Sequence, residues 1–600
     1  MSAASASGTA AVHYRVEIAD ARAHLFRVSM RIEAPAAVQA LQLPVWIPGS
    51  YLVREFAKNL QKLRASQGKR TVPLRQVNKA LWEADCDAGL PLQLDYEVYA
   101  FDNSVRTAWL DTQRGFFNGT SLFLQAAGLE ARPHTVAIVA PADLPQWQLA
   151  TGLTPLRTNK QGFGSYQAAD YDELVDCPVE MGTFWSGNFV AGGVAHRFVL
   201  AGATDSFDAA QLLEDTRAIC EQEIGFWHGR RGDRPPFRNY LFMLNAVHDG
   251  YGGLEHRNST ALICTRKDLP RQPRKNPAAT SHKQPEGYTT LLGLISHEYF
   301  HTWNVKRLRP LDFARYDYTQ ENYTELLWFF EGFTSYYDDL LLRRAKRIDN
   351  ASYLKLLTKT INQVLQTPGR MVQTVAQASF DAWVKYYRQD ENTANATVSY
   401  YTKGALVALC LDLTLRLEGK TTLDAVMQGL WKHCASGPMR EQDLLDVLQV
   451  QSGRSYAKEI QRWVHSTAEL PLTALLEAHG VQYHQEPDQI AQQLGLRVKE
   501  SNGVQIHQVL RGGAAEKAGF ASGDEWLAVQ ATGARASGPW RMHQLEDLVL
   551  YCGHAKKVTA TVARDKQLIA LTLAMPKPST AVRLSVGDAT AVNRWLDAKA

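Results

Sequence analysis

The spacing of apolar residues changes along the chain and divides it into parts. Up to about residue 204, apolar and polar positions alternate in short runs that are separated by Pro, Gly and Asn residues. This alternation is typical of half-buried β-strands. Strands are predicted at residues 13–18, 25–32, 41–47, 92–99 and 198–200. We therefore expect an N-terminal β-sandwich domain over residues 1–204.

Beyond Asp205 the apolar residues recur at helical spacing. Helices are predicted at residues 207–227, 288–304, 321–342, 351–365, 403–417, 422–434 and 440–449, with one strand at 239–244. This pattern predicts a mainly helical domain over residues 205–485. Residues 486–578 return to strands with one helix and form a further predicted domain, which a tail over 579–600 follows. The expected fold class is a multidomain α+β protein.

Composition and charge narrow the function classes. Lys and Arg number 65 and Asp and Glu 61, which leaves a net charge of +4, too small to indicate a polyanionic partner. The longest apolar run, residues 405–411, is far shorter than the ~18 residues of a membrane-spanning helix. The first residues lack the features of a secretory signal, and the seven cysteines never form a C-x-x-C pair. We expect a cytoplasmic protein without a disulfide framework or a thiolate zinc site.

One segment is strongly basic. Residues 266–283 contain six Lys and Arg residues and three prolines. A nucleic-acid patch is one interpretation of such a run, but no aromatic residue is interleaved with the charges. A solvated, mobile loop is therefore the expectation, and neither nucleic acid nor a membrane is among the expected partners.

The sequence His297-Glu298-Tyr299-Phe300-His301 carries the main chemical signal. On a helix, positions four apart lie about 40° and one turn from each other, so both imidazoles point to one spot. This is the arrangement that a tetrahedral zinc ion needs from two nitrogen ligands. Glu298 is then placed to act as general base towards a water whose pKa the ion lowers.

A catalytic zinc ion needs a third protein ligand and an open fourth position. Downstream, Glu331 is a carboxylate among Trp and Phe residues on a predicted helix, where its burial is costly unless it is paired or bound to a metal. Glu331 is therefore the predicted third ligand. Glu325 competes, but six positions earlier it would lie about 240° around the same helix. One zinc ion per chain is expected.

In combination, these motifs resemble the gluzincin zinc peptidases, which include thermolysin and aminopeptidase N. Residues 297–307 resemble more narrowly the glycyl aminopeptidase family, as do Pro44-Val45-Trp46-Ile47-Pro48-Gly49-Ser50-Tyr51 in the N-terminal part. The resemblance extends over essentially the whole chain. It implies an N-terminal β domain, a thermolysin-like catalytic domain, a C-terminal PDZ domain and cleavage after small N-terminal residues such as Gly or Ala.

Two further elements gain a role from the resemblance. Gly252-Gly253-Leu254-Glu255-His256 is similar to the Gly-x-Met-Glu-Asn element of aminopeptidase N, which implies that Glu255 binds the substrate's α-ammonium. The same element implies that the peptide backbone docks along Gly252 and Gly253. Tyr401-Thr402-Lys403-Gly404 resembles the Tyr-x-Lys-Gly element, whose tyrosine donates a hydrogen bond to the tetrahedral intermediate. Tyr401 is the predicted donor, and Tyr400 is the neighbouring alternative.

The sequence also departs from its relatives. The segment between His301 and Glu331 is longer than in thermolysin or aminopeptidase N, and Ser335 replaces the aspartate that thermolysin places four residues after its glutamate ligand. This leaves open which group orients His301. Asn304, Lys306 and Arg307 follow the zinc helix and are weak candidates for substrate contact.

The C-terminal segment resembles a PDZ domain of the bacterial protease type. The similarity rests on Leu494-Gly495-Leu496, on residues 511–525 and on a predicted helix at 543–551. Such a domain implies a groove that could take a peptide C-terminus as an added strand.

The function that these residues predict is a zinc aminopeptidase acting on peptides with a free N-terminus. Three alternatives remain at this stage. A PDZ scaffold could bind peptides on a weakly active or inactive peptidase body, the same zinc site could hydrolyse a non-peptide substrate, or the enzyme could be an endopeptidase.

Overall fold

The computed structural model describes residues 10–229, 234–272, 285–533 and 538–597. The chain forms two compact units. Unit 1 consists of Met1–Asn322 and Cys434–Met439, and unit 2 of Tyr323–His433 and Arg440–Ala600. The predicted basic loop falls largely on residues 273–284, which lie outside the described residues.

Strands dominate the first part of unit 1, as the alternating pattern predicts. They are β1 (Val12–Asp20), β2 (Leu25–Ile32), β3 (Val38–Gln42), β4 (Leu60–Gln67), β5 (Arg70–Val72), β6 (Leu74–Gln76), β7 (Leu81–Asp85), β8 (Leu92–Tyr99), β9 (Ala108–Leu110), β10 (Arg114–Phe117), β11 (Gln125–Ala126), β12 (His134–Ile138), β13 (Gln148–Thr151), β14 (Thr154–Thr158), β15 (Gly164–Ala168) and β16 (Val179–Gly182). Two short helices, α1 (Gly119–Leu122) and α2 (Tyr171–Val175), accompany them. The largest sheet has the order β14-β15-β12-β1-β2-β8-β4-β5, in which β1 is antiparallel to β2 and parallel to β12.

The predicted strand over residues 25–32 is confirmed, because Phe26, Val28, Met30 and Ile32 are all fully buried on one face of β2. The strand predicted over residues 41–47 is wrong in position, since β3 ends at Gln42. Beyond that point the backbone N–H groups of Leu43 and Val45 donate to carbonyls of distant loops, and Pro44 has no N–H.

A five-stranded sheet with the order β17-β18-β19-β21-β20 forms the second part of unit 1. Its strands are β17 (Trp185–Ala191), β18 (Val194–Ala201), β19 (Asn239–Val247), β20 (Gly252–Glu255) and β21 (Ser259–Thr265). The strand predicted at 198–200 is part of β18 and pairs with β19, so this sheet begins before residue 204. Strand β20 lies at the edge and is antiparallel to β21.

Two long helices accompany this sheet in unit 1, α3 (Ala209–His228) and α4 (Glu286–Phe300), and α4 contacts β20. The short strands β22 (Arg309–Pro310) and β23 (Pro438–Met439) pair in parallel. Helix α4 corresponds to the helix predicted over residues 288–304. It begins and ends slightly earlier than expected, at Glu286 and Phe300.

Helices dominate the first part of unit 2. They are α5 (Leu327–Arg344), α6 (Asn350–Leu365), α7 (Val375–Phe380), α8 (Thr393–Ala396), α9 (Tyr400–Glu418), α10 (Leu423–His433), α11 (Glu441–Ser452), α12 (Ala457–Trp463) and α13 (Leu472–Ala478). Helices α5 and α9 approach closely, because Gly332 and Gly404 face each other. A β-carbon on Gly332 would lie 2.5 Å from the α-carbon of Gly404.

The C-terminal part of unit 2 has its own sheet and hydrophobic core. Its strands are β24 (Val481–Pro487), β25 (Leu496–Lys499), β26 (Val504–Val509), β27 (Glu525–Ala531), β28 (Trp540–Arg541), β29 (Lys557–Arg564), β30 (Gln567–Ala574) and β31 (Thr580–Val586). Its helices are α14 (Ile490–Leu494), α15 (Ala514–Ala518), α16 (Asp547–Cys552) and α17 (Ala589–Leu596). The sheet has the order β25-β26-β27-β29-β30, with β28 beside β27. The segment predicted as a tail forms β31, which pairs with β24, and α17.

The fold is thus a multidomain α+β arrangement with a β-rich N-terminal domain followed by a mainly helical segment, as predicted. None of the described helices combines the length and the apolar character that crossing a bilayer requires.

Candidate active site

The two histidines of the zinc motif lie together at the end of α4. His301 follows the last helical residue but keeps helical dihedral angles, with φ −59° and ψ −18°. The two Nε2 atoms are 3.1 Å apart, and the two rings are almost perpendicular at 87°. Two nitrogens at about 2.0–2.1 Å from a tetrahedral zinc ion would be about 3.3 Å apart, so the pair fits such an ion.

The backbone orients His301. Its Nδ1 lies 2.8 Å from the carbonyl oxygen of Asn304, which can only accept a hydrogen bond. The proton is therefore on Nδ1, and the lone pair of Nε2 is left for a metal ion. This contact answers the question that Ser335 left open in the sequence.

Glu298 faces strand β20 from α4. A β-carbon on Gly253 would lie 2.0 Å from Oε1 of Glu298, so this position of the strand tolerates no side chain. The carboxylate itself is buried, with 5% of the residue exposed. The glycine of the strand thus makes the space that the predicted general base occupies.

Glu255 lies two residues after Gly253 and therefore on the same face of β20. It is 4% exposed, and its carboxylate lies against Gly49, where a β-carbon would be 2.5 Å from both carboxylate oxygens. Gly49 has φ +89°, a conformation that favours glycine. Within the described part of the chain, no hydrogen bond or ion pair reaches the Glu255 carboxylate.

A buried carboxylate without a cation or a donor is costly. The Glu255 carboxylate is therefore chemically suited to a cation that the described residues do not supply.

Comparison with known proteins places the chain in a family. The profile of the Peptidase M61 N-terminal domain matches residues 13–183, and that of M61 glycyl aminopeptidase matches residues 290–407. The crystal structure of an aminopeptidase N family protein from Idiomarina loihiensis is 35% identical, with a TM-score of 0.90, over 98% of this chain and 100% of that chain. The chain belongs to the M61 glycyl aminopeptidase family.

Other comparisons are more distant. The crystal structure of an M1 zinc metallopeptidase from Deinococcus radiodurans is 15% identical, with a TM-score of 0.47, over 77% of this chain and 94% of that chain. The comparison with curated proteins gives no match.

In this M61 protein a buried charge network adjoins the Glu255 strand, and the sequence did not reveal it. Asp176 lies 2.6 Å from Nζ of Lys306 and 3.2 Å from Nδ1 of His256, and it accepts a hydrogen bond from the backbone of Arg257 at 3.0 Å. Burial would raise the pKa of the Asp176 carboxyl, but Lys306 and His256 outweigh it and hold the pKa well below its usual range. The network therefore fixes the chain directly after Glu255.

Two of the weak substrate candidates have structural roles. Lys306 is 2% exposed and forms the ion pair with Asp176. Arg307 donates to the backbone carbonyls of Arg257, Thr302 and Pro236, and burial lowers its pKa to about 10.

In unit 2, the predicted third ligand Glu331 lies in the first turns of α5 and is 2% exposed. Glu325 precedes the helix, which begins at Leu327 and not at residue 321, so the angular comparison of the two glutamates does not apply. Tyr401 lies in the first turn of α9, where Tyr400 is fully buried and Tyr401 is partly exposed. Burial raises the pKa of the Tyr401 phenol well above its usual value, and the Glu331 carboxylate raises it further.

Sequence reasoning missed Tyr386, whose ring stacks on Tyr401 at 5.4 Å between centroids. Burial and, more weakly, Glu331 raise its pKa as well. No motif could have indicated Tyr386, because the segment around it is not helical and its apolar residues follow no regular spacing.

Unit 1 thus brings together His297, His301, Glu298, Gly253 and Glu255 through the contact of α4 with β20. Unit 2 brings together Glu331 and Tyr401 through the contact of α5 with α9.

Proposed function

We propose that this M61 family member is a zinc-dependent aminopeptidase that hydrolyses the first peptide bond of peptides with a free N-terminus. The observation that carries the proposal is Glu255, a buried carboxylate that no described cation neutralises. An α-ammonium group is a cation that such a carboxylate can bind through charge-assisted hydrogen bonds.

In this proposal one zinc ion is held by His297, His301 and Glu331. The 3.1 Å spacing of the histidine Nε2 atoms and the tautomer of His301 support the first two ligands. Support for Glu331 comes from its burial in an apolar helix, where a carboxylate needs a cation. When bound, zinc acts as a Lewis acid on the scissile carbonyl and lowers the pKa of water.

The protein's own residues then carry the proton and the charges. Glu298 accepts a proton from the attacking water and returns it to the leaving amine nitrogen. Glu255 binds the α-ammonium, while the substrate backbone lies along Gly252 and Gly253. Tyr401 donates a hydrogen bond to the developing oxyanion, and its raised pKa keeps the phenol protonated for this purpose. The preference for N-terminal Gly or Ala follows from the family and is part of the proposal.

We also propose that residues 486–578 form a PDZ domain. Its separate core and the position of β25 at the edge of its sheet support this assignment. An edge strand can accept a peptide as an additional strand, so a peptide C-terminus is the proposed ligand of this domain. The proposed cytoplasmic location is supported by the seven cysteines, none of which forms a disulfide.

The test couples metal content to turnover. Zinc per chain is measured for the wild type and for Glu298→Gln, and both are assayed on glycyl and alanyl peptides and on N-acetylated versions of the same peptides. The proposal predicts about one zinc in each protein, with cleavage by the wild type alone and of free amines alone. Bound zinc without cleavage of any peptide by the wild type would favour the peptide-binding scaffold instead.

A further inference from the structure

A guanidinium group contacts the edge strand β20, to which Glu255 belongs. Arg106 belongs to the segment between β8 and β9, and its Nη2 lies 3.3 Å from the carbonyl oxygen of Gly253. A β-carbon on Gly252 would have Nη1 of Arg106 as its nearest neighbour, at 3.6 Å. The guanidinium therefore flanks the glycine pair along which the substrate backbone is proposed to lie.

Arg106 has no counter-ion in the described part of the chain. Among the described residues, no carboxylate lies within ion-pair distance of Arg106, and its Nε is buried without a hydrogen-bond partner. Arg114, in the same domain, shows the usual arrangement, since its Nε and Nη2 bind both oxygens of Glu180 at 2.8 and 2.7 Å. The Arg106 guanidinium, with its buried Nε, therefore retains donors for an anionic ligand.

Two charges of opposite sign, which no described residue compensates, thus lie at strand β20, one on the strand and one beside it. Glu255 is at its end, and Arg106 contacts it at Gly252 and Gly253, two to three residues away. Two to three strand residues span about 7–10 Å. A fully extended di- or tripeptide covers a similar distance between its terminal charges, since each residue spans at most about 3.6 Å.

We propose that Arg106 binds the C-terminal carboxylate of short peptide substrates and so makes di- and tripeptides with a free C-terminus the preferred substrate class. The inference rests on the proposed aminopeptidase function. The pair formed by Glu255 and Arg106 complements a zwitterion, with the ammonium at Glu255 and the carboxylate at Arg106. A guanidinium offers five N–H donors in a planar fork, and the contact with Gly253 uses one of them.

A purely structural role is the competing explanation. In that case Arg106 would only hold the Gly253 carbonyl in place, and the enzyme would not distinguish a C-terminal carboxylate from a C-terminal amide. The two explanations differ in one measurable quantity, the ratio of kcat/KM for a peptide acid to kcat/KM for the same peptide with a C-terminal amide.

The experiment compares Ala-Ala-Ala and Gly-Ala with their C-terminal amides on the full-length, zinc-loaded protein. We expect the wild type to favour the acids by about 10- to 100-fold, mainly through KM, because a charge-assisted hydrogen bond to the guanidinium is lost in the amide. Arg106→Gln, which keeps an N–H donor for Gly253, should bring the ratio close to one. Arg106→Lys should restore part of it, and Arg157→Gln, at an exposed arginine of β14, should leave the ratio as in the wild type.

The wild type alone gives a result even if Arg106→Gln does not fold. Equal cleavage of acids and amides by the wild type would overturn the carboxylate role and leave the aminopeptidase function intact. An acid preference that persists in folded Arg106→Gln would also overturn it. If the wild type cleaves neither acids nor amides, the proposed function and this inference both fail.

Discussion

The carboxylate of Glu298 lies directly against the α-carbon of Gly253, on the face of strand β20 that also bears Glu255. The proposed ammonium-binding residue thus belongs to β20, and the proposed base reaches the same face of that strand from α4. This arrangement relates the position of the reacting bond to the position of the substrate's N-terminus.

Gly253→Ala should displace the proposed base, Glu298. The new methyl group would lie 2.0 Å from Oε1 of Glu298, so the carboxylate must move. We expect kcat to fall by about 10²-fold or more, because proton transfer depends on its geometry. Steady-state kinetics with one alanyl peptide measures this loss.

Gly225→Ala is the matched control for this substitution. Gly225 lies within α3, and outside the backbone of the helix itself no described atom lies within 4 Å of a β-carbon there. Its activity should stay at the wild-type level, with slightly higher stability from helix propensity. Wild-type kcat in Gly253→Ala would show that Glu298 does not act from its observed position.

Glu255→Gln should weaken cleavage of peptides with a free N-terminus by about 10²-fold, since it removes the charge that binds the ammonium group. Cleavage of N-acetylated peptides, measured on the same protein, should change much less. Glu255→Asp keeps the charge on a shorter side chain. Its activity on peptides with a free N-terminus should lie between that of the wild type and that of Glu255→Gln. Equal losses on free and acetylated peptides would contradict the ammonium-binding role.

Tyr401→Phe should lower kcat by about 10²-fold with little change in KM, because the hydrogen bond forms in the transition state. The pKa of Tyr401 is raised well above its usual value of about 10, so the phenol stays protonated below that pH. The pH profile of kcat should therefore show no decline from this tyrosine up to about pH 10. If Tyr400→Phe carries the loss instead, Tyr400 is the donor.

Asp176→Asn should reduce the free energy of unfolding by about 3–5 kcal/mol at neutral pH, because Lys306 is left buried without its anion. The pKa of Asp176 is lowered on folding, so its stabilising contribution is present above the unfolded value of about 3.9 and is lost as the pH falls below it. Denaturant unfolding at several pH values should show the difference from the wild type shrinking below about pH 4. A difference that grows on acidification would contradict the lowered pKa.

The chemistry of the site was more accessible from sequence than its surroundings. The proximity of His297 and His301 could be predicted, because a spacing of four residues on one helix is enough to bring them together. The contact of Gly49 with Glu255 joins residues that are far apart in the sequence, and no periodic pattern encodes it. The lack of a described counter-ion at Arg106 also depends on tertiary packing, and the sequence therefore could not predict it.

Errors in the predicted elements have equally local causes. The helix predicted from residue 321 begins at Leu327, because residues 321–326 have an irregular backbone, in which the Asn322 amide donates to the carbonyls of Asp317 and Gln320. The strand predicted over 41–47 was suggested by its apolar residues, but Pro44 interrupts the ladder and Val45 bonds to Tyr318 instead.

The contact between Gly49 and Glu255 has a consequence for truncated forms of the protein. Gly49 lies in the region matched by the N-terminal family profile, whereas Glu255 belongs to the sheet that follows it. A shortened protein that starts at the catalytic sheet would expose the Glu255 carboxylate to water on the side that Gly49 now covers. In the proposed role of Glu255, this hydration would compete with the substrate's ammonium group, and removal of the N-terminal domain would weaken substrate binding as well as folding.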